Sequence, residues 1–184
     1  MGTVSVAVAS IVSERLDLVS LSADDIEHLF DGSTALNLPE GWPDEHDARF
    51  LRFRAEQMRT DPHAQQWLVR LVVLRDEGRP VIGHAGFHGP PGVNARRDPE
   101  AVEIGYTVFL SHRGRGYATE AARALMGWAC ADRRIERFVA SVAPDNGPSL
   151  AIVDKLGFVQ TGQHWDDEDG LELEFGLDVQ SSSL

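Results

Sequence analysis

The segment HRGRGYATEA, from His112 to Ala121, places two arginines and two glycines between an alternating apolar run and a helix-like pattern. The first amides of a helix have no partner inside it, and aligned peptide dipoles leave partial positive charge at that end. Glycine lets a ligand approach the main chain closely. These residue types suit an anion, to which Arg113 and Arg115 can add charge-assisted hydrogen bonds. A nucleoside triphosphate loop would need a lysine after its last glycine, and a dinucleotide fingerprint a further glycine or alanine deeper in the helix. Here Gly114 and Gly116 are followed by Tyr117, Ala118 and Thr119, which fits neither. The other reading is a strand-to-helix turn whose arginines are simply solvated.

Other residues could do chemistry with less pattern behind them. Asn146, in NGPSLAIVDKL, can bind a ligand as donor and acceptor or cap the helix that follows. Trp42 lies between Gly41 and Pro43, with Glu40 and His46 nearby, and reads either as a wall of a substrate site or as a core anchor under its loop. The acids Asp166, Asp167, Glu168 and Asp169, beside His164, could attract an ammonium group or form a solvated loop. The single cysteine, Cys130, sits in an apolar helical pattern and reads as a core residue. It excludes an intramolecular disulfide and a cysteine-cluster zinc site, and no metal is expected.

The elements that must carry these residues follow from periodicity. Leu16 and Leu18 mark a first strand, Ser22 caps a helix, and a second helix runs from about Asp44 to Arg59. WLVRLVVLRD and VIGHAGF read as paired strands, followed by the exposed loop HGPPGVNARRDPE. AVEIGYTVFL alternates, with Val102, Ile104, Tyr106, Val108 and Leu110 on one face and Ala101, Glu103, Gly105, Thr107 and Phe109 on the other. The next helix repeats Ala118, Ala121, Ala122, Leu125, Met126 and Ala129 at helical spacing. RFVASVA is a strand, SLAIVDKL a helix closed by Gly157, and FVQTGQHW and LELEFGLDV are the last strands.

This order predicts a mixed α/β (α+β) sheet with helices on both faces. The 184 residues, 42% hydrophobic, support one domain over 1–184, with its core at about 14–179 and a disordered tail at 180–184. A net charge of -12 opposes nucleic acid and membrane surfaces as partners. The N-terminus lacks a basic start and no run is long enough to span a bilayer, so a cytoplasmic protein is expected.

RGRGYATEA together with NGPSLAIVDKLGF resembles the GCN5-related N-acetyltransferase family, and EIGYTVFLSHRGRGYATEA is most similar to its RimJ/RimL-type branch. The family's pyrophosphate loop, [RQ]-x-x-G-x-[GA], falls on Arg113, Gly116 and Ala118. Its N-x-x-[AS] motif with a following G-F falls on Asn146, Ser149, Gly157 and Phe158. The match covers residues 101 to 158. It implies a splayed, mostly antiparallel mixed sheet in which acetyl-CoA enters where two parallel strands part, and direct acetyl transfer to an amine in a ternary complex.

On that resemblance the pyrophosphate meets Arg113, Gly114, Arg115, Gly116, Tyr117, Ala118 and Thr119, and the pantetheine arm meets Val108, Leu110, Asn146 and Ser149. The acceptor side falls to Trp42, Glu103 and His164. Glu103 is the candidate base or water-relay carboxylate, because an alkyl ammonium titrates near roughly 10.4 and must lose a proton. Many family members carry a tyrosine seven residues after the asparagine to protonate sulfur. Here that position is Val153, so Ser149 is the candidate for hydrogen bonding to sulfur. The acceptor is a protein N-terminal amine or a small amine. The resemblance also admits a homodimer, although no residue specifies one. A non-catalytic acyl-CoA sensor is the rival reading.

Overall fold

The computed structural model describes residues 8–167 and 170–179. Strands β1 (Ile11–Val12) and β2 (Leu16–Ser20) form a hairpin, and β3 (Arg70–Leu74) and β4 (Val81–Phe87) form another. Four further strands follow: β5 (Ala101–Val108), β6 (Arg137–Val142), β7 (Val159–Asp166) and β8 (Gly170–Asp178). All eight lie in one sheet of order β1-β2-β3-β4-β5-β6-β8-β7. Every neighbouring pair is antiparallel except β5–β6, which is parallel and registers only at Ala101↔Arg137, Val102↔Phe138 and Glu103↔Val139.

Four α-helices among the described residues cover the sheet: α1 (Ala23–Asp31), α2 (Glu45–Thr60), α3 (Tyr117–Arg133) and α4 (Gly147–Leu156). Ser22 caps α1 in a reciprocal capping box with Asp25, and Asp44 caps α2 by accepting from the Asp47 amide. Strand alternation divides the core in two. Leu71 and Val73 of β3 face Ile26, Leu29 and Leu51 of α1 and α2, whereas Val72 and Leu74 face the layer of Ala122, Leu125 and Ala129 of α3. Each fully buried leucine, such as Leu51 or Leu125, contributes about 1.5–3 kcal/mol by leaving water. No helix among the described residues is long and apolar enough to cross a membrane.

The elements expected from periodicity are present, with two corrections. β1 carries only two residues, too few for a period to register. The alternating run AVEIGYTVFL does not remain a strand to its end: β5 stops at Val108, and Leu110 lies in a one-turn 3₁₀ helix, Leu110–His112, with 81% exposure. The break follows from hydrogen bonding. Phe109 N–H still donates to the Ile82 carbonyl at 2.8 Å, and then Arg113 Nε turns back to donate to the Val108 carbonyl at 2.8 Å. The expected tail at 180–184 and the acids Glu168 and Asp169 lie outside the described residues.

The β1–β2 turn also braces the start of α3. Glu120, in the first turn of α3, accepts from Ser13 Oγ at 2.7 Å, from the Arg15 N–H at 2.7 Å and from Arg15 Nε at 2.6 Å. Arg15 also donates to the Arg115 carbonyl at 3.1 Å and lies over the Tyr117 ring, 4.6 Å from its centroid. Burial by itself would raise Glu120, but the hydrogen bonds from Arg15 and Ser13 outweigh it and hold the carboxyl below its ordinary value. A depressed carboxylate contributes stability that is present above its unfolded pKa and lost as pH falls through the folded one. Glu120→Gln is therefore expected to lower stability at pH 7 by about 1 kcal/mol, a Tm loss of about 2–4 °C. Thermal melts across pH should show the gap from wild type closing below roughly pH 4.

Candidate active site

The parallel pairing of β5 and β6 ends at Glu103, and beyond it the strands part. β5 continues on β4 through Val108, while β6 continues on β8 through Val142. Along β5 the odd residues bond to β4: the Glu103 carbonyl accepts from His88 N–H and the Phe109 N–H donates to Ile82. By the alternation of an antiparallel ladder, Ile104, Tyr106 and Val108 direct their main-chain groups the other way, into the gap.

At one mouth of the gap lies a cleft of about 530 Å³ lined by Val108, Arg113, Gly114, Gly116, Asn146 and Ser149, among others. Gly114 and Gly116 hold φ +74° and +80°, a left-handed conformation that glycine adopts without cost. Gly116 is the N-cap of α3, and its carbonyl accepts the first helical bond from Glu120 N–H at 3.0 Å. The amides of Tyr117, Ala118 and Thr119 thus precede the first helical bond, and all three residues line the cleft. A Cβ on Gly114 would meet nothing within 4 Å, so the loop is open to a ligand. Amides, helix dipole and the cationic Arg113 make this a cradle that fits a pyrophosphate. Arg115 contributes differently: it is exposed, is not among the residues lining the cleft, and gives its carbonyl to Arg15. Leu110 likewise stays outside the lining and accepts from Arg113 N–H at 3.4 Å.

On the other side of the gap is a second cleft, of about 740 Å³, which shares Tyr106, Thr107, Asn146 and Ser149 with the first. Glu103 lies in its wall, 3% exposed. Its Oε1 accepts from Ser141 Oγ at 2.6 Å and its Oε2 from Ala95 N–H at 2.6 Å, while His88 Nδ1 stands 3.6 Å from Oε1. The carboxylate thus ties the parted strand β6 and the loop before β5 to one point. Val93, Asn94 and Ala95 of that loop wall the cleft, and Asn94 fixes it by donating to the Asp98 and Ala101 carbonyls. His164 and Asp166 of β7 and Glu172 of β8 close the far wall, and His164 is flanked by Glu174 at 3.0 Å and Glu172 at 3.5 Å. Trp42 is half-buried instead, its ring tilted against Phe109 with centroids 5.5 Å apart and packed on the α1/α2 core.

Asn146 caps α4, its Oδ1 accepting from Ser149 N–H at 3.2 Å, and it also lines both clefts, so capping does not remove it from the cleft walls. Val153 is 1% exposed in the core, out of reach of either cleft. Cys130 is packed on the same core, and burial followed by the nearby Glu136 raises its thiol above the usual value, the opposite of an activated nucleophile.

Tyr106, read from the sequence only as part of an apolar stripe, stands where the two clefts meet. Its hydroxyl is buried beside the Ser149 hydroxyl. Burial raises it above the ordinary phenol value, and the neighbouring Ser149 hydroxyl opposes that rise. The only available signal was that Tyr106 shares a strand face with Val108.

Comparison with known proteins agrees with this geometry. Residues 15–159 match the acetyltransferase (GNAT) domain family. The chain is 33% identical over 88 residues to the uncharacterized N-acetyltransferase YjdG of Bacillus subtilis, covering 48% of this chain and 49% of YjdG. It is 28% identical over 138 residues to YnaD of the same organism, covering 74% of this chain and 72% of YnaD. The matched stretch therefore spans only about half of YjdG. Among solved structures, RimL, the ribosomal L7/L12 α-N-protein acetyltransferase in complex with coenzyme A, superposes with a TM-score of 0.64 at 18% identity, over 92% of this chain and 98% of that one. The parted strands, the glycine loop at the head of α3 and the match over residues 15–159 together place the chain in the acetyltransferase (GNAT) domain family.

Proposed function

We propose that the protein transfers an acetyl group from acetyl-CoA to a primary amine, directly and within a ternary complex. The observation that carries this reading is the gap between β5 and β6, with an anion cradle at one mouth and a buried carboxylate in the opposite wall. Coenzyme A is the anion that suits both the cradle and a slot between strands. Its pyrophosphate takes the amides from Gly114 to Thr119, and its pantetheine amides pair with the main chain of Tyr106 and Val108 and with Asn146. A solved relative by fold, RimL, is in complex with coenzyme A, which supports the assignment.

The acceptor amine enters from the larger cleft as an ammonium ion. Its proton passes to Glu103, with the His88 ring beside the carboxylate as the relay. The neutral nitrogen attacks the thioester carbonyl carbon; a C–N bond forms and the C–S bond breaks. The departing thiolate takes a proton from the Tyr106 hydroxyl, with Ser149 next to it, and the proton left on the amide nitrogen returns to the protein and then to solvent. Main-chain N–H groups facing the gap stabilise the oxyanion. The branch likeness extends the acceptor class to protein N-terminal amines alongside small amines. A sensor that binds acyl-CoA without turnover is favoured by one observation, that both Glu103 oxygens already accept hydrogen bonds.

Titration calorimetry with acetyl-CoA, run beside ATP and NAD, tests the cradle. Selective binding of acetyl-CoA is expected, and Gly116→Glu should abolish it by placing a charge against the pyrophosphate and a side chain at positive φ. In a free-thiol release assay over an amine panel, Glu103→Gln is expected to lower kcat by about 10²-fold with acetyl-CoA affinity unchanged. Tyr106→Phe should lower kcat by about tenfold or more and leave the acceptor KM in place; full activity would remove the phenol from the mechanism. Acetyl-CoA binding with no thiol release from any amine would favour the sensor.

A further inference from the structure

A third cavity, of about 270 Å³, opens beside the acceptor cleft and shares His46, His88, Gly105, Tyr106 and Thr107 with it. Its wall holds Arg54 of α2, 8% exposed. Arg54 Nη1 donates to Gln57 Oε1 and to the His88 carbonyl, each at 2.9 Å. Nε and Nη2 meet no acceptor among the described residues, and Nε is fully shielded from solvent. The rings of Phe50 and Phe53 flank the guanidinium at 5.0 and 5.6 Å. Asp47 shares the cavity but is taken by His84 at 3.4 Å, which holds its carboxyl below the usual value. Arg54 has no ion pair among the described residues, and burial alone pushes it down to about 10, so it remains charged at neutral pH.

A buried cation with no counter-ion is costly, and leaving two of its nitrogens without an acceptor adds to that cost. Arg70 shows how the fold settles such a residue when no ligand is involved. It is fully buried, its two Nη groups donate to the Ala9 and Gln66 carbonyls at 3.0 and 3.1 Å, and its guanidinium lies against Trp128, so that its Nε alone, like that of Arg54, meets no acceptor among the described residues. Arg54 differs in holding Nη2 uncommitted at the wall of a cavity, while its Nε stays shielded. An N–H of that group can donate a charge-assisted hydrogen bond to a carboxylate oxygen.

We propose that this cavity is a carboxylate subsite, and that the acceptor carries a carboxylate which pairs with Arg54 while its amine lies at Glu103. The inference rests on the acetyl-transfer reading above and narrows its substrate class. His88 joins the two ends: its carbonyl accepts from Arg54 and its ring lies 3.6 Å from Glu103. The acceptor side thus offers a cation to one end of the ligand, and Glu103, Asp166 and Glu172 to the other. That division suits an amine and a carboxylate on one short molecule, either the α-carboxylate of a free amino acid or an acidic side chain close to a peptide's N-terminus.

The test uses matched acceptors in the thiol-release assay: free amino acids against their α-amides, and short peptide amides bearing Asp or Glu against the same peptides bearing Asn or Gln. A preference of about tenfold or more in kcat/KM for the acid is expected, in the first series for an α-carboxylate and in the second for a side chain. Arg54→Gln should raise KM for the acid by a similar factor and remove the preference for acid over amide, and Arg54→Lys should restore part of it. Equal rates for acid and amide in both series, or a preference that survives Arg54→Gln, would overturn the subsite. So would a lack of turnover and of calorimetric binding for every acceptor while acetyl-CoA still binds. Failure to bind acetyl-CoA would instead withdraw the transferase reading itself. If Arg54→Gln does not fold, the wild-type comparison of acid with amide decides.

Discussion

The parallel contact between β5 and β6 lasts for three residue pairs, and both candidate clefts depend on its being that short. A longer parallel ladder would seal the sheet and satisfy the main-chain groups of Ile104, Tyr106 and Val108. Because β6 follows β8 while β5 follows β4, those groups are left unpaired by β6, the Val108 carbonyl being taken by Arg113 Nε, and the two strands become the walls of a slot. The opening is held from its closed end. Glu103, the last paired residue, binds Ser141 on β6 and Ala95 in the preceding loop, so the carboxylate is at once a structural knot and the most buried acid facing the cleft. These two duties are compatible, since a carboxylate has about four acceptor sites and two of them are used.

Around the slot, charge is sorted by position. The head of α3 presents amides, a helix dipole and Arg113 to one mouth, and the Arg15–Glu120 brace holds that head against the β1–β2 hairpin. The opposite side carries carboxylates and histidines from β5, β7, β8 and α2. Arg54 departs from this sorting, a lone buried cation within the otherwise acidic half. In a chain with net charge -12, Arg54 and Arg113 are the arginines among the residues lining these clefts.

Much of the architecture was legible along the chain because it rests on local rules. Ser22 announced its helix through capping, and the strand and helix periods of residues 101–129 were clean enough to place the glycine loop between them. At Leu110 the local pattern and the hydrogen bonding diverge. Alternation by itself extended the strand two residues too far, since the end of a strand is set by where its hydrogen bonds go, and Arg113 takes the Val108 carbonyl from outside the pattern. Tyr106 is a second such divergence. On an apolar stripe it reads as core, and only the parting of the strands leaves its hydroxyl between two clefts.

The sequence by itself determined the elements, the two motifs and the anion cradle, because a helix N-terminus with glycines before it is a binding feature made of consecutive residues. Tertiary structure decided the rest. The Glu103–Ser141 bond spans 38 positions, the Arg15 contact to Glu120 spans 105, and Arg54 reaches the His88 carbonyl 34 positions away. A lone arginine on a helix looks solvated until the chain has folded over it, because burial and the lack of a counter-ion are properties of packing and leave no local pattern.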